Sequence, residues 1–152
     1  MEYTIRKATL DDASTLNNFL TLLIRDEKKY DSNINELCVV KNFYENIILN
    51  DSNIILVAVA NNKVVGYLFG YIANMGDSYI DKISNIDALY IEENYRHNGI
   101  ATSLINEFKL WSINNGAKYM EVKVLNSNTD AFKLYNKEGF EEFKSILHSK
   151  IQ

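Results

Sequence analysis

The chain has 152 residues, of which 47% are hydrophobic and 24% charged, with a net charge of −4. That length suits a single domain with a sizeable core, and the composition is that of a globular protein, not a disordered or fibrous one. The acidic balance argues against broad nucleic-acid binding; the lone Cys38 excludes an intrachain disulfide and a cysteine metal site; His97 and His148 lie too far apart in sequence to suggest a metal pair. No apolar run reaches membrane-spanning length and no cleavable leader is visible, so the expected setting is cytoplasmic, away from the membrane.

Tyr3 to Ala8 alternates and predicts a first strand. Thr9 or Asp11 can cap a helix over about Asp12 to Lys28, which places Leu16, Phe19, Leu20, Leu23 and Ile24 on one side. A polar turn leads to a second predicted helix, about Ile34 to Leu49. Ile54 to Ala60 is a continuous apolar run, the pattern of a strand covered on both faces. Asn61-Asn62 suits a two-residue hairpin turn, because Asn tolerates positive φ, and Lys63 to Ala73 returns as the third strand.

Ile83 to Ile91 is a fourth strand, Glu92 to Asn98 a short polar loop, and Gly99 opens a third helix with Ile100, Leu104, Ile105 and Phe108 on its apolar face. Gly116 ends that helix, and Lys118 to Leu125 is a fifth strand. Asn128 can cap a fourth helix that runs to Glu138, where Gly139 stops it. Phe140 to Ile151 reads as a final strand segment. The order βααβββαβαβ predicts an α/β fold, a mixed sheet with helices on both faces.

The turn from the fourth strand into the third helix is where chemistry concentrates. The first N–H groups of a helix lack intrahelical partners, and the helix dipole favours an anion there. Gly99 allows close approach, and Arg96 and His97 add donors. Arg96-His97-Asn98-Gly99-Ile100-Ala101 resembles the Arg/Gln-x-x-Gly-x-Gly/Ala loop of the GNAT acyltransferases, the N-acetyltransferase superfamily. A second block, from Asn126 and Asn128 through Ala131, Leu134, Tyr135, Lys137, Gly139 and Phe140, resembles the family's Asn-x-x-Ala-x-x-Leu-Tyr-x-Lys-x-Gly-Phe pattern. The likeness runs from Tyr3 to about Phe143.

The resemblance implies a central mixed sheet of six to seven strands flanked by four helices. It also implies acetyl-CoA as cofactor and acetyl transfer to a primary amine in a ternary complex. The acceptor would be a small-molecule amine or a protein amine. The cofactor's pyrophosphate would be held by backbone N–H groups of His97, Asn98, Gly99, Ile100, Ala101 and Thr102 and by the Arg96 side chain. Its pantetheine arm would pair with Leu89, Tyr90 and Ile91, and Asn128, Ala131 and Lys137 would lie nearby. Tyr135 would be the general acid that protonates the leaving thiolate. The position expected to carry a carboxylate base holds Asn85, so Asp87 and Glu121 are the candidates, and an amine that arrives neutral needs neither. Asp26, Glu27, Tyr30 and Asp31 are the candidate substrate contacts, alternatively a solvated acidic helix end. A non-catalytic CoA-binding sensor is the competing reading. The family commonly has two strands after the fourth helix, whereas about twelve residues follow it here. The last strand is then missing, merged or exchanged with a second subunit, which motivates a homodimer.

Overall fold

The computed structural model describes all residues from Met1 to Gln152. Its strands are β1 (Thr4–Lys7), β2 (Asn53–Ala60), β3 (Lys63–Ile72), β4 (Lys82–Ile91) and β5 (Ala117–Val122). Its helices are α1 (Ala13–Glu27), α2 (Phe43–Ile47), α3 (Ile100–Asn114) and α4 (Thr129–Lys137). The strands form one sheet in the order β1-β2-β3-β4-β5. The first three pairings are antiparallel, and β4 with β5 is parallel. The β2–β3 turn places Asn61 and Asn62 at φ 51° and 59°, as the hairpin reading requires. No helix is long and apolar enough to cross a membrane.

Both faces of the sheet are covered, which explains the unbroken apolar runs in β2 and β3. On one face Leu16 and Phe19 of α1 and Tyr44 of α2 pack on Ile55, Val57, Tyr67, Phe69 and Ala88. On the other, Ile100, Leu104, Ile105 and Phe108 of α3 and Tyr135 of α4 pack on Ile54, Leu56, Ala58, Leu68, Ile86 and Ile91. Each fully buried side chain of this size contributes roughly 1.5–3 kcal/mol. At Gly70 an added Cβ would overlap the Phe108 ring and lie 2.8 Å from Asn85 O, so the small residue lets α3 settle onto β3. Ahead of α1, Thr9 and Asp12 form a capping box, and Asp12 also accepts two bonds from the Arg6 guanidinium at 2.8 and 3.0 Å.

Three expectations are corrected. The sheet has five strands, not six or seven. The second helix shrinks from Ile34–Leu49 to the short α2. Side-chain acceptors take amides away from a helix there: Asn35 Oδ1 accepts from Leu37 N within the segment, and Thr21 Oγ1 of α1, 19 residues away in sequence, accepts from Val40 N. The segment after α4 forms no strand. Its last backbone bond is Phe140 N to Tyr135 O at 2.9 Å, and Glu141 to Gln152 are all exposed. An alternating pattern is only a capacity for pairing, and this segment meets no sheet edge within its own chain.

Candidate active site

The loop after β4 is shaped to expose amides. A single 3₁₀ turn at Glu93–Tyr95 bends the chain, His97 follows at φ 62°, and Gly99 caps α3 at φ 81°. The first amide of this stretch to find an acceptor is Ser103 N, on Gly99 O at 3.0 Å. The N–H groups of His97, Asn98, Gly99, Ile100, Ala101 and Thr102 therefore have no partner within the protein. A Cβ on Gly99 would meet only Tyr3 Oη at 3.6 Å, so backbone conformation and not crowding demands the glycine. Successive unpaired amides at a helix start make a cradle for an anion.

Two contacts hold this cradle in place that no local sequence signal announces. Tyr3 Oη lies 2.7 Å from Ser103 Oγ and ties β1 to the start of α3. Thr102 Oγ1 donates to Glu138 Oε1 at 2.6 Å and ties the start of α3 to the end of α4. The Arg96 side chain braces the loop from below: Nε donates to Ile91 O at 2.9 Å, the guanidinium sits 5.7 Å from the Tyr90 ring centroid, and Asp26 is 4.0 Å away. Its nearest protein partners are on β4 and α1.

Beside the cradle the sheet splits. Pairing of β4 with β5 ends at Ile86 opposite Val122, while β4 runs on to Ile91. A bulge drives the split. Ala88 faces Phe69 and Ile86 faces Gly70, so Asp87 is an extra residue with no opposite number on β3. The backbone edge of Leu89, Tyr90 and Ile91 that faces β5 is left without a strand partner. Tyr135 lies buried on α4, its ring 5.3 Å from that of Phe140. Its hydroxyl makes no hydrogen bond to the protein, and burial pushes its pKa well above the ordinary phenol value. Asn128 does cap α4, accepting from Ala131 N at 3.1 Å; Ala131 is half-buried and Lys137 exposed.

On the α1 side of the sheet Asp87 is the electrostatic centre. Its side chain is exposed, yet partial desolvation by the surrounding sheet and tyrosines holds its carboxyl above the usual range, partly offset by Lys123. Its charge in turn helps raise the pKa of Glu27, Tyr44, Tyr67 and Tyr71. Glu27 is raised mainly by burial, then by Asp31 and by Asp87, so the end of α1 and the bulge of β4 face one another. Beneath them the fully buried Tyr44 and Tyr67 share a hydroxyl–hydroxyl bond of 2.7 Å, a pair that only the tertiary structure brings together. The other substrate candidates do not converge as tightly. Asp26 turns toward Arg96, Asp31 closes a local turn on Asn33 N, and the Tyr30 ring carries the Lys29 ammonium at 5.2 Å. Glu121 lies opposite Asn85 in the register and has Lys144 Nζ at 3.7 Å.

The unpartnered amides and the free β4 edge fit a ligand with a pyrophosphate and an extended, amide-bearing arm. Comparisons with known proteins bear on the fold and the family. The acetyltransferase (GNAT) family profile matches residues 19–140. A Methanocaldococcus jannaschii protein described as an N-acetyltransferase is 26% identical over 144 residues, covering 92% of this chain; the chain spans 61% of that relative's length. A Bacillus subtilis protein described in the same way is 23% identical, covering 95% of this chain and 93% of its own. Among solved structures, a mutant Bacillus halodurans protein superposes with a TM-score of 0.86 at 18% identity, covering 98% of this chain and 99% of its own. An aminoglycoside N-acetyltransferase solved with CoA superposes at 0.75 and 17% identity, covering 98% of this chain and 99% of its own. At such identities the superpositions establish the fold. With the profile matching most of its length, the chain belongs to the acetyltransferase (GNAT) family, whose acyl donor is acetyl-CoA.

Proposed function

We propose that this protein transfers an acetyl group from acetyl-CoA to a primary amine of a small molecule, by direct attack while both substrates are bound. The observation that carries the reading is the row of six unpartnered amides, His97 to Thr102, that follows the free edge of β4, with Tyr135 packed in the same buried cluster as Ile91 and Ile100. The amides and the charge of Arg96 bind the pyrophosphate. Leu89, Tyr90 and Ile91 offer backbone groups to the pantetheine arm, as an added strand would. Asn128, Ala131 and Lys137 border the same cleft from α4. When bound, the acyl-CoA supplies an activated thioester.

Asp87 accepts the proton shed by the attacking amine, and Tyr135 gives its phenolic proton to the departing sulfur. Asp87 is favoured over Glu121 because its side chain is open to an incoming amine and its carboxyl is held above the usual range, whereas Glu121 sits beside the Lys144 ammonium. Tyr135 stays protonated at neutral pH because burial disfavours the phenolate. Glu27, facing Asp87 across the site, favours an acceptor that carries positive charge, with Asp26, Tyr30 and Asp31 at its outer margin. The likeness to an aminoglycoside N-acetyltransferase supports testing polyamino acceptors first.

A thermal-shift titration tests the cofactor site. Acetyl-CoA and CoA should raise the melting temperature dose-dependently by several degrees and ATP should not, because only a ligand of the native state stabilises it. No shift at millimolar acetyl-CoA would overturn the reading. Thiol release across a panel of polyamines, aminoglycosides, amino acids and lysine peptides then separates a small-molecule enzyme from a protein acetyltransferase. A cofactor shift without turnover on any amine would favour a CoA-binding sensor.

A further inference from the structure

We propose that Glu138 sets how firmly the cradle holds acetyl-CoA and CoA, a role that rests on the acetyl-CoA reading of that site. Its carboxylate is a fixed negative charge beside the amides that weakens their grip on the pyrophosphate and so hastens the departure of CoA. Glu138 ends α4 with φ −86° and ψ 9°, and its N–H closes the last turn on Leu134 O at 3.2 Å and Tyr135 O at 3.1 Å. An anion is out of place there, because the dipole at that end of a helix favours cations such as the neighbouring Lys137. The side chain instead crosses to α3, where Oε1 accepts from Thr102 Oγ1 at 2.6 Å. A residue that opposes its own helix and serves another is a local inconsistency of the kind that marks function.

Thr102 is the third residue of α3, and its N–H is the last of the unpartnered amides. Covalent geometry keeps a threonine hydroxyl within about 4 Å of its own amide nitrogen. The Glu138 oxygen therefore lies no more than about 7 Å from that nitrogen. Without a cofactor, the carboxylate favours the positive end of α3. A pyrophosphate on the same amides brings further negative charge into its field. Like charges this close repel strongly in the part-buried space between two helices, where water screens them less than in bulk.

The latch itself survives binding, because the hydroxyl of Thr102 serves Glu138 and its amide remains for the phosphate. Acetyl-CoA and CoA share the pyrophosphate, so the repulsion weakens both alike. Uniform weakening of this kind takes nothing from the chemical step and frees the product sooner.

Glu138→Gln removes the charge and keeps an oxygen for Thr102 to donate to. Calorimetric titrations with acetyl-CoA and with CoA at low ionic strength should give dissociation constants about fivefold or more below those of the parent, by the same factor for both ligands. The gain should shrink at about 1 M salt, where screening cuts the repulsion. Glu138→Lys suits the end of α4 and should bind at least as tightly as Glu138→Gln. A merely structural tie between α3 and α4 predicts the reverse, weaker binding in both variants. Parent-like or weaker binding by either variant overturns the proposal, as does a gain that is undiminished at about 1 M salt. Failure of the parent itself to bind either ligand would overturn the acetyl-CoA reading and this role with it, so the two failures are distinguishable.

Discussion

Replacing Tyr135 with Phe isolates one atom. The ring belongs to the α3–α4 core and meets Phe140 edge-on, and Phe keeps both contacts. The hydroxyl bonds to nothing in the protein, so its removal breaks no internal hydrogen bond. The structural cost should be within about 0.5 kcal/mol in either direction, the range of substitutions that disturb no packing. For a domain of this size that is a shift of about 2 °C or less in melting temperature. Turnover should respond differently. A positioned general acid contributes about 10²–10⁴-fold, and burial keeps this phenol protonated and available. We expect kcat to fall at least about tenfold, or about 1.4 kcal/mol in barrier height, with acetyl-CoA affinity nearly unchanged. The assay is thiol release at saturating acetyl-CoA, beside a thermal melt and a cofactor titration. Undiminished turnover would refute the acid role. A melting temperature lowered by more than about 4 °C would refute the unbonded hydroxyl.

Asp87→Asn should lower turnover about 10²-fold at pH 7, and the deficit should shrink toward pH 10, where an aliphatic amine is largely neutral without help; a pH-independent deficit would refute a base role. The same variant tests linkage. The folded state holds the Asp87 proton more tightly than the unfolded chain does, so ionising it costs stability as pH rises through the window between the two pKa values. Asn should therefore melt at or above the parent at pH 7, and the difference should vanish below about pH 4. Asp12 has the opposite sign. The Arg6 guanidinium and the Thr9 groups hold its pKa down, so its contribution is present above the ordinary carboxyl range and lost as pH falls through the folded value. Asp12→Asn should cost about 1–2 kcal/mol at pH 7, discounted for the half-exposed Arg6, and the gap should close in acid melts. Gly70→Ala drives a methyl group into Phe108 and should cost about 1–3 kcal/mol, read as a lower denaturation midpoint at unchanged m-value.

Local chemistry by itself determined much of this protein. The turn of Asn61 and Asn62, the start of α3 at Gly99, the Asn128 cap and the apolar faces of α1 and α3 follow from φ preferences, capping and periodicity within a few residues. So did the loop that frees its amides, because a left-handed residue at a helix start is a local requirement. The second helix failed partly for a local reason, the turn that Asn35 closes on Leu37 N, and partly for a tertiary one, the bond from Val40 N to Thr21 of α1. What only the tertiary structure decided is who meets whom. The bulge that singles out Asp87 depends on its register against β3, and the hydroxyl pair of Tyr44 and Tyr67 joins residues from α2 and β3. The latch from Thr102 to Glu138 joins two helices, and the segment after Phe140 carries a strand pattern that its own fold leaves unpaired. Propensity and periodicity act over a turn or a pleat, whereas register, charge neighbourhoods and free edges arise from the docking of distant elements.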